Sequence, residues 1–265
     1  MKIGIIGYGY VGSAVAASYE PEQILINDPA YPDKSVSMHE LKECCDSIFI
    51  CVPTPQDTNG ACNTSILNAV IDQLRGYTGI VISKSTASPD MYQHLEEISG
   101  LQLAHVPEFL TQVNAVNDYL TPSKIVIGCR RNMATDVSDI ILKSKVQFSG
   151  KIDYCAIGEA AFFKYMANTF LAVKVIMNNE YHDLATAIGL DWNVIADIAK
   201  SDSRLGHSHW QVPGPDGSRG FGGACFPKDT QALIRISKDL GIDSSVLVAA
   251  LVKNRTYRRG EMNDI

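Results

Sequence analysis

At 265 residues, with 46% hydrophobic and 20% charged side chains, the chain is long enough for one large or two ordinary domains and apolar enough for a core. A net charge of −6 argues against duplex nucleic acid as a partner, although backbone amides and a few cations can still hold a phosphate-bearing small molecule. No apolar run near 18 residues and no signal-peptide layout are read, so no membrane partner and a cytoplasmic location are expected.

Residues 2–7 read as a short apolar strand, and Gly7-Tyr8-Gly9-Tyr10-Val11-Gly12 follows at once, leading into a helix over 11–19. That is the context a dinucleotide fingerprint requires: Gly7 for the turn, Gly9 for approach of a pyrophosphate, Gly12 for packing of helix against strand. The helix N-terminus then faces the phosphates. A second strand, 23–27, ends at Asp28, whose carboxylate can accept from both ribose hydroxyls and repel a 2′-phosphate, favouring NAD over NADP. A turn-forming aspartate before Pro29 is the alternative reading.

A helix over 35–45 and an apolar strand over 47–52 come next, and the strand ends in Val52-Pro53-Thr54-Pro55, where two prolines stop further pairing. The segment 56–63 is polar and turn-rich, and Thr64 caps a helix to about residue 74. A strand over 79–83 ends at Lys84-Ser85-Thr86. Ser88 and Pro89 then read as the N-cap and first residue of a helix to about 99. Another strand, 101–105, runs into Pro107-Glu108-Phe109-Leu110. The alternation predicts an α/β doubly wound parallel sheet of the Rossmann type, with polar residues gathered at the strand ends where such sheets bind ligands. A strand over 124–129, a helix over 132–142 and a short strand over 145–148 follow, and Tyr154–Gly158 marks the exit from this domain.

Between residues 159 and 188 there is no proline or glycine, and apolar side chains recur at 162, 163, 166, 170, 173, 176 and 177, the spacing of one face of a helix roughly 45 Å long. Lys164 and Asn168, four apart, share a face of it. A helix over 192–200 leads to Ser201–Gly206 and a loop to Arg219. Next comes Gly220-Phe221-Gly222-Gly223-Ala224-Cys225-Phe226-Pro227-Lys228-Asp229. Three glycines within four residues allow positive φ and close backbone approach, and a nearby cation favours thiolate, so a reactive cysteine is one reading and an inert thiol after a tight turn the other. Helices over 230–240 and 244–254 close the chain, with a basic tail, 255–260, expected to fray. The division expected is a Rossmann domain over 1–155 and a mostly helical domain over 156–265 built on the long helix.

The seven cysteines, at 44, 45, 51, 62, 129, 155 and 225, contain no Cys-x-x-Cys pair and are expected as reduced thiols, with Cys51 and Cys129 buried. His207 and His209 flank Ser208 without a further clustered ligand, so no metal is expected.

Taken in order, Gly7–Gly12, Val52–Pro55, Ser85-Thr86, Pro107–Leu110, Lys164-Tyr-Met-Ala-Asn168 and Gly220–Asp229 resemble the motifs of the UDP-glucose/GDP-mannose dehydrogenase family over nearly the whole chain. The resemblance implies NAD as cofactor and a nucleotide sugar such as UDP-glucose as substrate. The implied reaction takes the C6 alcohol to a carboxylate in two hydride transfers through a thiohemiacetal and thioester on Cys225. A homodimer and a setting in polysaccharide biosynthesis are implied with it. It places Lys164 and Asn168 at the oxidised carbon, and Ser85 and Thr86 near nicotinamide and catalytic water, although a Ser/Thr turn satisfying its own backbone is an equal reading. By the same resemblance Val52, Pro53 and Thr54 border the cofactor beside Tyr8, Tyr10 and Val11. Glu108 and Asp229 handle protons, while Phe109, Leu110, Phe221, Gly222, Gly223 and Lys228 lie along the substrate. Arg204, in an Arg-Leu-Gly setting, reaches substrate across a dimer interface.

The sequence departs from the family at Thr111-Gln112-Val113, where Arg-Glu-Gly is usual, so Gln112 replaces a second carboxylate. The loop 207–219 also differs. Family members continue into a further Rossmann-like domain that grips the nucleotide, and this sequence ends where that domain is expected to begin. A β-hydroxyacid dehydrogenase that stops after one hydride, and an inactive NAD-binding protein, are the rival readings.

Overall fold

Seven strands form one sheet in the computed structural model, which describes residues 1–258. The chain divides into two compact units, Met1–Pro55 with Asn63–Lys164, and Gln56–Cys62 with the chain from Tyr165 onward.

The first unit alternates strand and helix. In chain order it contains β1 (Ile3–Ile6), α1 (Tyr10–Ala17), β2 (Ile24–Asn27), α2 (Met38–Cys44), β3 (Ser47–Ile50), α3 (Ser65–Gln73), β4 (Ile80–Ser83), α4 (Pro89–Ile98), β5 (Gln102–His105), α5 (Ala115–Leu120), β6 (Ile125–Gly128), α6 (Ala134–Leu142) and β7 (Ile152–Cys155). The sheet order is β2-β1-β3-β4-β5-β6-β7. From β2 to β5 all neighbours are parallel, so the chain reverses direction of travel across the sheet between β1 and β3. Such a reversal opens a crevice at the strand ends. Two of the expectations above need correction. β6 pairs antiparallel with β5, so the sheet is mixed rather than wholly parallel. Residues 145–148 form no strand; the seventh strand is β7, parallel to β6, in the stretch read as a domain exit.

Alternate residues of each central strand enter opposite cores, the doubly covered condition that makes these strands apolar throughout. Phe49, Ile80 and Ile82 pack with Val15 of α1, Tyr119 of α5 and Ile140 of α6. On the other face Ile48, Ile50 and Val81 pack with Leu41 of α2, Ile71 of α3 and Leu95 of α4. Cys129 is buried as expected, whereas Cys51 is only part-buried. Thr64 precedes α3 but makes no side-chain capping bond, and the Ser65 amide donates to Asn63 Oδ1.

Helix α7 (Ile157–Ala187) follows, then α8 (Trp192–Ser201), α9 (Phe226–Asp239) and α10 (Ser245–Tyr257). By length and composition α7 is apolar enough to cross a membrane, although its apolar residues form no unbroken run. The periodic stripe along it divides, with Ile176 buried and Phe163 and Val173 part-buried. Phe162, Met166, Phe170 and Met177 are exposed, Phe170 at 70%. Between Ile157 and Ile176, both buried, the covered seam is mostly small or polar, comprising Ala160, Ala161, Lys164, Tyr165, Asn168, Thr169 and Ala172. Close packing of backbones selects small residues, and a buried polar side chain persists where it finds a partner.

In the second unit Phe221 packs among Ala172 and Ile176 of α7 and Ala250 and Leu251 of α10. Trp192, Ala196, Trp210 and Val212 form a second small cluster with Ala185. The expected fraying of 255–260 is overturned for its first part: α10 continues through Tyr257, and Arg258 is buried and ion-paired with Asp216. Arg259 and Gly260 lie outside the described residues.

Candidate active site

The glycine turn after β1 has the geometry its sequence suggested. Gly7 adopts φ +88°, and a Cβ there would lie 2.7 Å from the Cys51 carbonyl oxygen beyond β3. A Cβ on Gly12 would lie 1.9 Å from the Gly7 oxygen, so α1 can press on β1 only through glycine. Gly9 differs: a Cβ there meets nothing within 4 Å, and its φ of −74° suits any residue. No neighbour among the described residues requires Gly9, which leaves an open cradle at the start of α1 where backbone and helix dipole favour a phosphate. The residues present therefore fit a dinucleotide. Gly9→Ala should leave stability within about 0.5 kcal/mol. It should nonetheless weaken NAD binding by about tenfold or more, the equivalent of ~1.4 kcal/mol. Calorimetry on the folded variant checks this, and unaltered affinity would place the pyrophosphate elsewhere.

Asp28, at the end of β2, is more committed than either sequence reading foresaw. One carboxylate oxygen accepts from the Tyr8 amide at 2.5 Å and the other from the Ala30 amide at 2.8 Å. It is at once a turn residue and a tether for the glycine turn. Tyr8 also stacks edge-on with Tyr31, 5.5 Å between centroids.

Beyond β3 and β4 the strand ends are joined to each other. Ser85 Oγ donates to the Val52 carbonyl at 2.8 Å, and the Tyr92 hydroxyl of α4 bridges Ser83 Oγ at 2.6 Å and the Ser85 carbonyl at 2.5 Å. Val52, Thr54 and Ser85 are buried, so the two loops form one rigid edge.

Lys84, which sequence reasoning passed over, is buried in this edge with Nζ 5.0 Å above the Tyr119 ring. A lysine closing an apolar strand was the available signal. Burial pushes its pKa down to about 8, Cys51 and Glu108 oppose that shift, and Lys164 adds to it. The unfolded chain keeps this proton up to about 10.5, so between pH 8 and 10.5 unfolding takes up protons and stability rises with pH. Below pH 8 the whole cost of burying the cation stands. Lys84→Met should abolish the rise and stabilise the fold at pH 7 by roughly 2 kcal/mol. Urea unfolding at pH 7 and pH 10 measures both effects, and an unchanged slope would assign the titration to another group.

Glu108 and Lys164 form a buried ion pair, Nζ to Oε1 at 3.0 Å, with both side chains at most 6% exposed. The second carboxylate oxygen of Glu108 accepts from the Leu110 amide at 2.9 Å. Lys164 Nζ also donates to the Glu108 carbonyl and lies 5.3 Å above the Phe109 ring. Gln112 is exposed and starts a short 3-10 turn. That turn is organised by Asp118, which accepts from the Thr111 amide and hydroxyl and from Asn114.

Within the second unit Asn168, one turn beyond Lys164 on α7, donates from Nδ2 to Asp229 Oδ2 at 2.6 Å. Lys228 Nζ donates to the other oxygen, Oδ1, at 2.7 Å. Asp229 is 1% exposed, so its charge is balanced by these two donors. Burial works against the charge of Lys228, but Asp229, with Cys62 and Cys225 beyond it, outweighs this and raises its pKa.

Helix α9 begins four residues earlier than its sequence suggested, because Pro227 fits a first turn where no amide hydrogen bond is needed. Cys225 is therefore the N-cap residue of α9, half-buried, and its carbonyl accepts from the Asp229 amide at 2.8 Å. Of the preceding glycines, Gly220 and Gly223 hold positive φ.

Arg204 is exposed at 86% and turned back on Asp202, 2.6 Å away. The loop beyond it hangs on Lys174 of α7, a residue the sequence gave no reason to single out. Its Nζ donates to the carbonyls of Leu205 at 3.0 Å and Ser208 at 2.5 Å and lies 4.5 Å above the Trp210 ring. Among the described residues no group of three or more His, Cys, Asp or Glu could hold a metal ion.

A Rossmann sheet with an open glycine cradle, followed by a helical unit carrying a lysine, an asparagine, an aspartate and a half-buried thiol, defines a dinucleotide-dependent dehydrogenase. Residues 33–144 match the NAD-binding domain and residues 158–256 the central domain of the UDP-glucose/GDP-mannose dehydrogenase family. The chain belongs to that family, a family of NAD-dependent oxidoreductases acting on alcohols. It is 31% identical to UDP-glucose 6-dehydrogenase from Rickettsia bellii, over 96% of this chain and 67% of that protein. It is 28% identical to UDP-glucose 6-dehydrogenase AglM from Haloferax volcanii, over 96% of this chain and 69% of that protein. The structure of a UDP-glucose dehydrogenase from Pyrobaculum islandicum superposes with a TM-score of 0.83 at 26% identity, covering 97% of this chain and 68% of that one. The chain thus spans about two thirds of the length of these relatives.

Proposed function

We propose that the protein oxidises the C6 alcohol of a nucleotide sugar, UDP-glucose or a close analogue, to the carboxylate. Bound at the first unit, NAD+ would supply the hydride acceptor, used twice per substrate. Residues 1–155 would act as the cofactor domain and 156–265 as the catalytic and dimerisation domain. The observation that carries the reading is the placement of Cys225 at the start of α9, with Lys228 and Asp229 in its first turn and Asp229 tied to Asn168 on α7. The positive end of a helix and a nearby ammonium both favour the anionic form of a thiol.

In the proposed sequence the Cys225 thiolate adds to the aldehyde carbon formed by the first oxidation, making a C–S bond and a tetrahedral oxyanion. Lys164 and the second amide hydrogen of Asn168, on the same face of α7, would stabilise that oxygen. As the oxyanion of the adduct re-forms its C=O bond, a hydride can leave to NAD+, which the aldehyde itself could not release, and the product is a thioester. Water then attacks, the C–S bond breaks, and the thiolate leaves a carboxylic acid. Glu108 and Asp229 would take up and return protons, with Thr86 positioning the water. Phe221, Gly222, Gly223, Phe109, Leu110 and Lys228 would line the sugar, and Arg204 would reach a partner's substrate once released from Asp202.

We further propose a homodimer in the cytoplasm, serving polysaccharide synthesis. The exposed apolar stripe of α7, continued by Leu184, Ile188, Val194 and Ile198, supports a second copy of the chain as its cover. A monomeric mass in light scattering at micromolar concentration would remove that part. The reaction itself is tested by following NADH with UDP-glucose and GDP-mannose and counting equivalents per sugar: two support the scheme, and one supports a single-step dehydrogenase.

A further inference from the structure

The glycine stretch before Cys225 is held by a residue outside every motif described above. Asn254 of α10 is fully buried, and its side-chain amide pairs with one peptide unit of the stretch. The Phe221 amide donates to Oδ1 at 2.7 Å, and Nδ2 donates to the Phe221 carbonyl at 2.9 Å. The fit is tight on both sides. A Cβ on Gly220, whose φ is +72°, would come within 2.3 Å of Asn254 Oδ1. One turn further along, Arg258 packs where a Cβ on Gly222 would lie, 2.4 Å from Nη1, and donates to Asp216. Phe221 itself is 2% exposed, packed among α7 and α10 and edge-on to Phe226, 6.5 Å between centroids.

Two consequences follow. Glycine is required at 220 because the side chain of Asn254 occupies the space, not only because φ is positive. Also, the position of Phe221, four residues before Cys225 and in ring contact with the residue after it, depends on a helix outside every sequence motif, whose Ala250 and Leu251 pack on it as well. A bidentate asparagine satisfies both backbone groups of a buried peptide, which no other side chain of its size and neutrality can do.

We infer that Asn254 is a positioning residue for Cys225: by clamping the Phe221 peptide it fixes the thiol at the N-terminus of α9. The inference rests on Cys225 being the nucleophile of the reaction proposed above. Loosening the clamp should let the thiol leave the helix terminus. The thiol should then react more like an ordinary cysteine, while the first unit still binds NAD.

The test is the rate of alkylation of Cys225 by iodoacetamide across pH 5 to 10, resolved from the other cysteines by peptide mass spectrometry, in wild type and Asn254→Ala. The pH midpoint should move upward toward the free-thiol value of about 8.5. Turnover should fall by about tenfold to a hundredfold, as for a reacting group displaced by an ångström, with the KM for NAD unchanged. Gly220→Ala, whose added methyl meets Asn254 from the other side, should shift Cys225 in the same way and gives the same reading should Asn254→Ala not fold. In the double variant the two effects should not add, because both act through one contact. A folded single variant whose Cys225 profile and turnover stay within twofold of wild type would overturn the inference. The alkylation measurement needs no turnover, so its outcome is separate from that of the mechanism: if Cys225→Ser still yields two NADH per sugar, the nucleophile assignment fails whatever Asn254 does.

Discussion

Cys225→Ser should lower NADH formation from UDP-glucose by about 10³-fold or more, the scale on which a covalent nucleophile is missed. Any residual turnover should yield at most one NADH per sugar. Serine keeps the size of the side chain but not the acidity or polarisability of the thiol, so the aldehyde would find no group able to hold it as a tetrahedral adduct at neutral pH. The half-buried site and the retained Cys225 carbonyl bond to Asp229 mean that the fold should change by less than about 0.5 kcal/mol. Loss of activity can therefore be separated from loss of structure by comparing unfolding curves. A serine variant that still delivers two equivalents of NADH at the wild-type rate would remove the covalent role of Cys225 and leave a two-step oxidation that does not pass through a thioester.

The second large effect is expected at Lys164, where stability and catalysis can be pulled apart. Lys164→Met leaves the Glu108 carboxylate with the Leu110 amide and the more distant charge of Lys84 and should cost about 3–5 kcal/mol of stability, the usual penalty for breaking a buried pair. It should also remove an oxyanion donor worth about 3 kcal/mol, or roughly a hundredfold in turnover. Adding Glu108→Gln replaces the stranded charge with a neutral amide of the same shape and should restore most of the stability. It should restore none of the turnover, because the ammonium is still missing. Urea unfolding and steady-state rates on the two single variants and the double variant decide the matter. Recovery of activity together with stability would mean that the pair only supports the fold.

Sequence reading succeeded where chemistry is local. The glycine spacing of the turn Gly7–Gly12 and the four-residue spacing of Lys164 and Asn168 are each written within one or two helical turns of sequence. The structure leaves them as expected, down to the open side of Gly9. It failed where a residue's role depends on something distant in the chain. The stripe from Phe162 to Met177 marks one face of a helix, yet Phe162, Met166, Phe170 and Met177 are exposed while Ile176 is buried, because other segments cover only part of it. Hydrophobic period alone finds a face; it does not say whether this chain or another covers it. The start of α9 was placed four residues late, at 230, although Pro227 suits the first turn of a helix.

The sequence by itself determined the family, the cofactor turn, the long helix and the identity of the polar residues, because these are carried by residue type and short spacing. Only the tertiary structure decided which partner each polar group takes. It paired Lys164 with Glu108, Asn168 with Asp229, and the Phe221 peptide with Asn254, 33 residues away. A buried donor or acceptor must find a partner wherever the fold brings one, and sequence separation sets no limit on where that is.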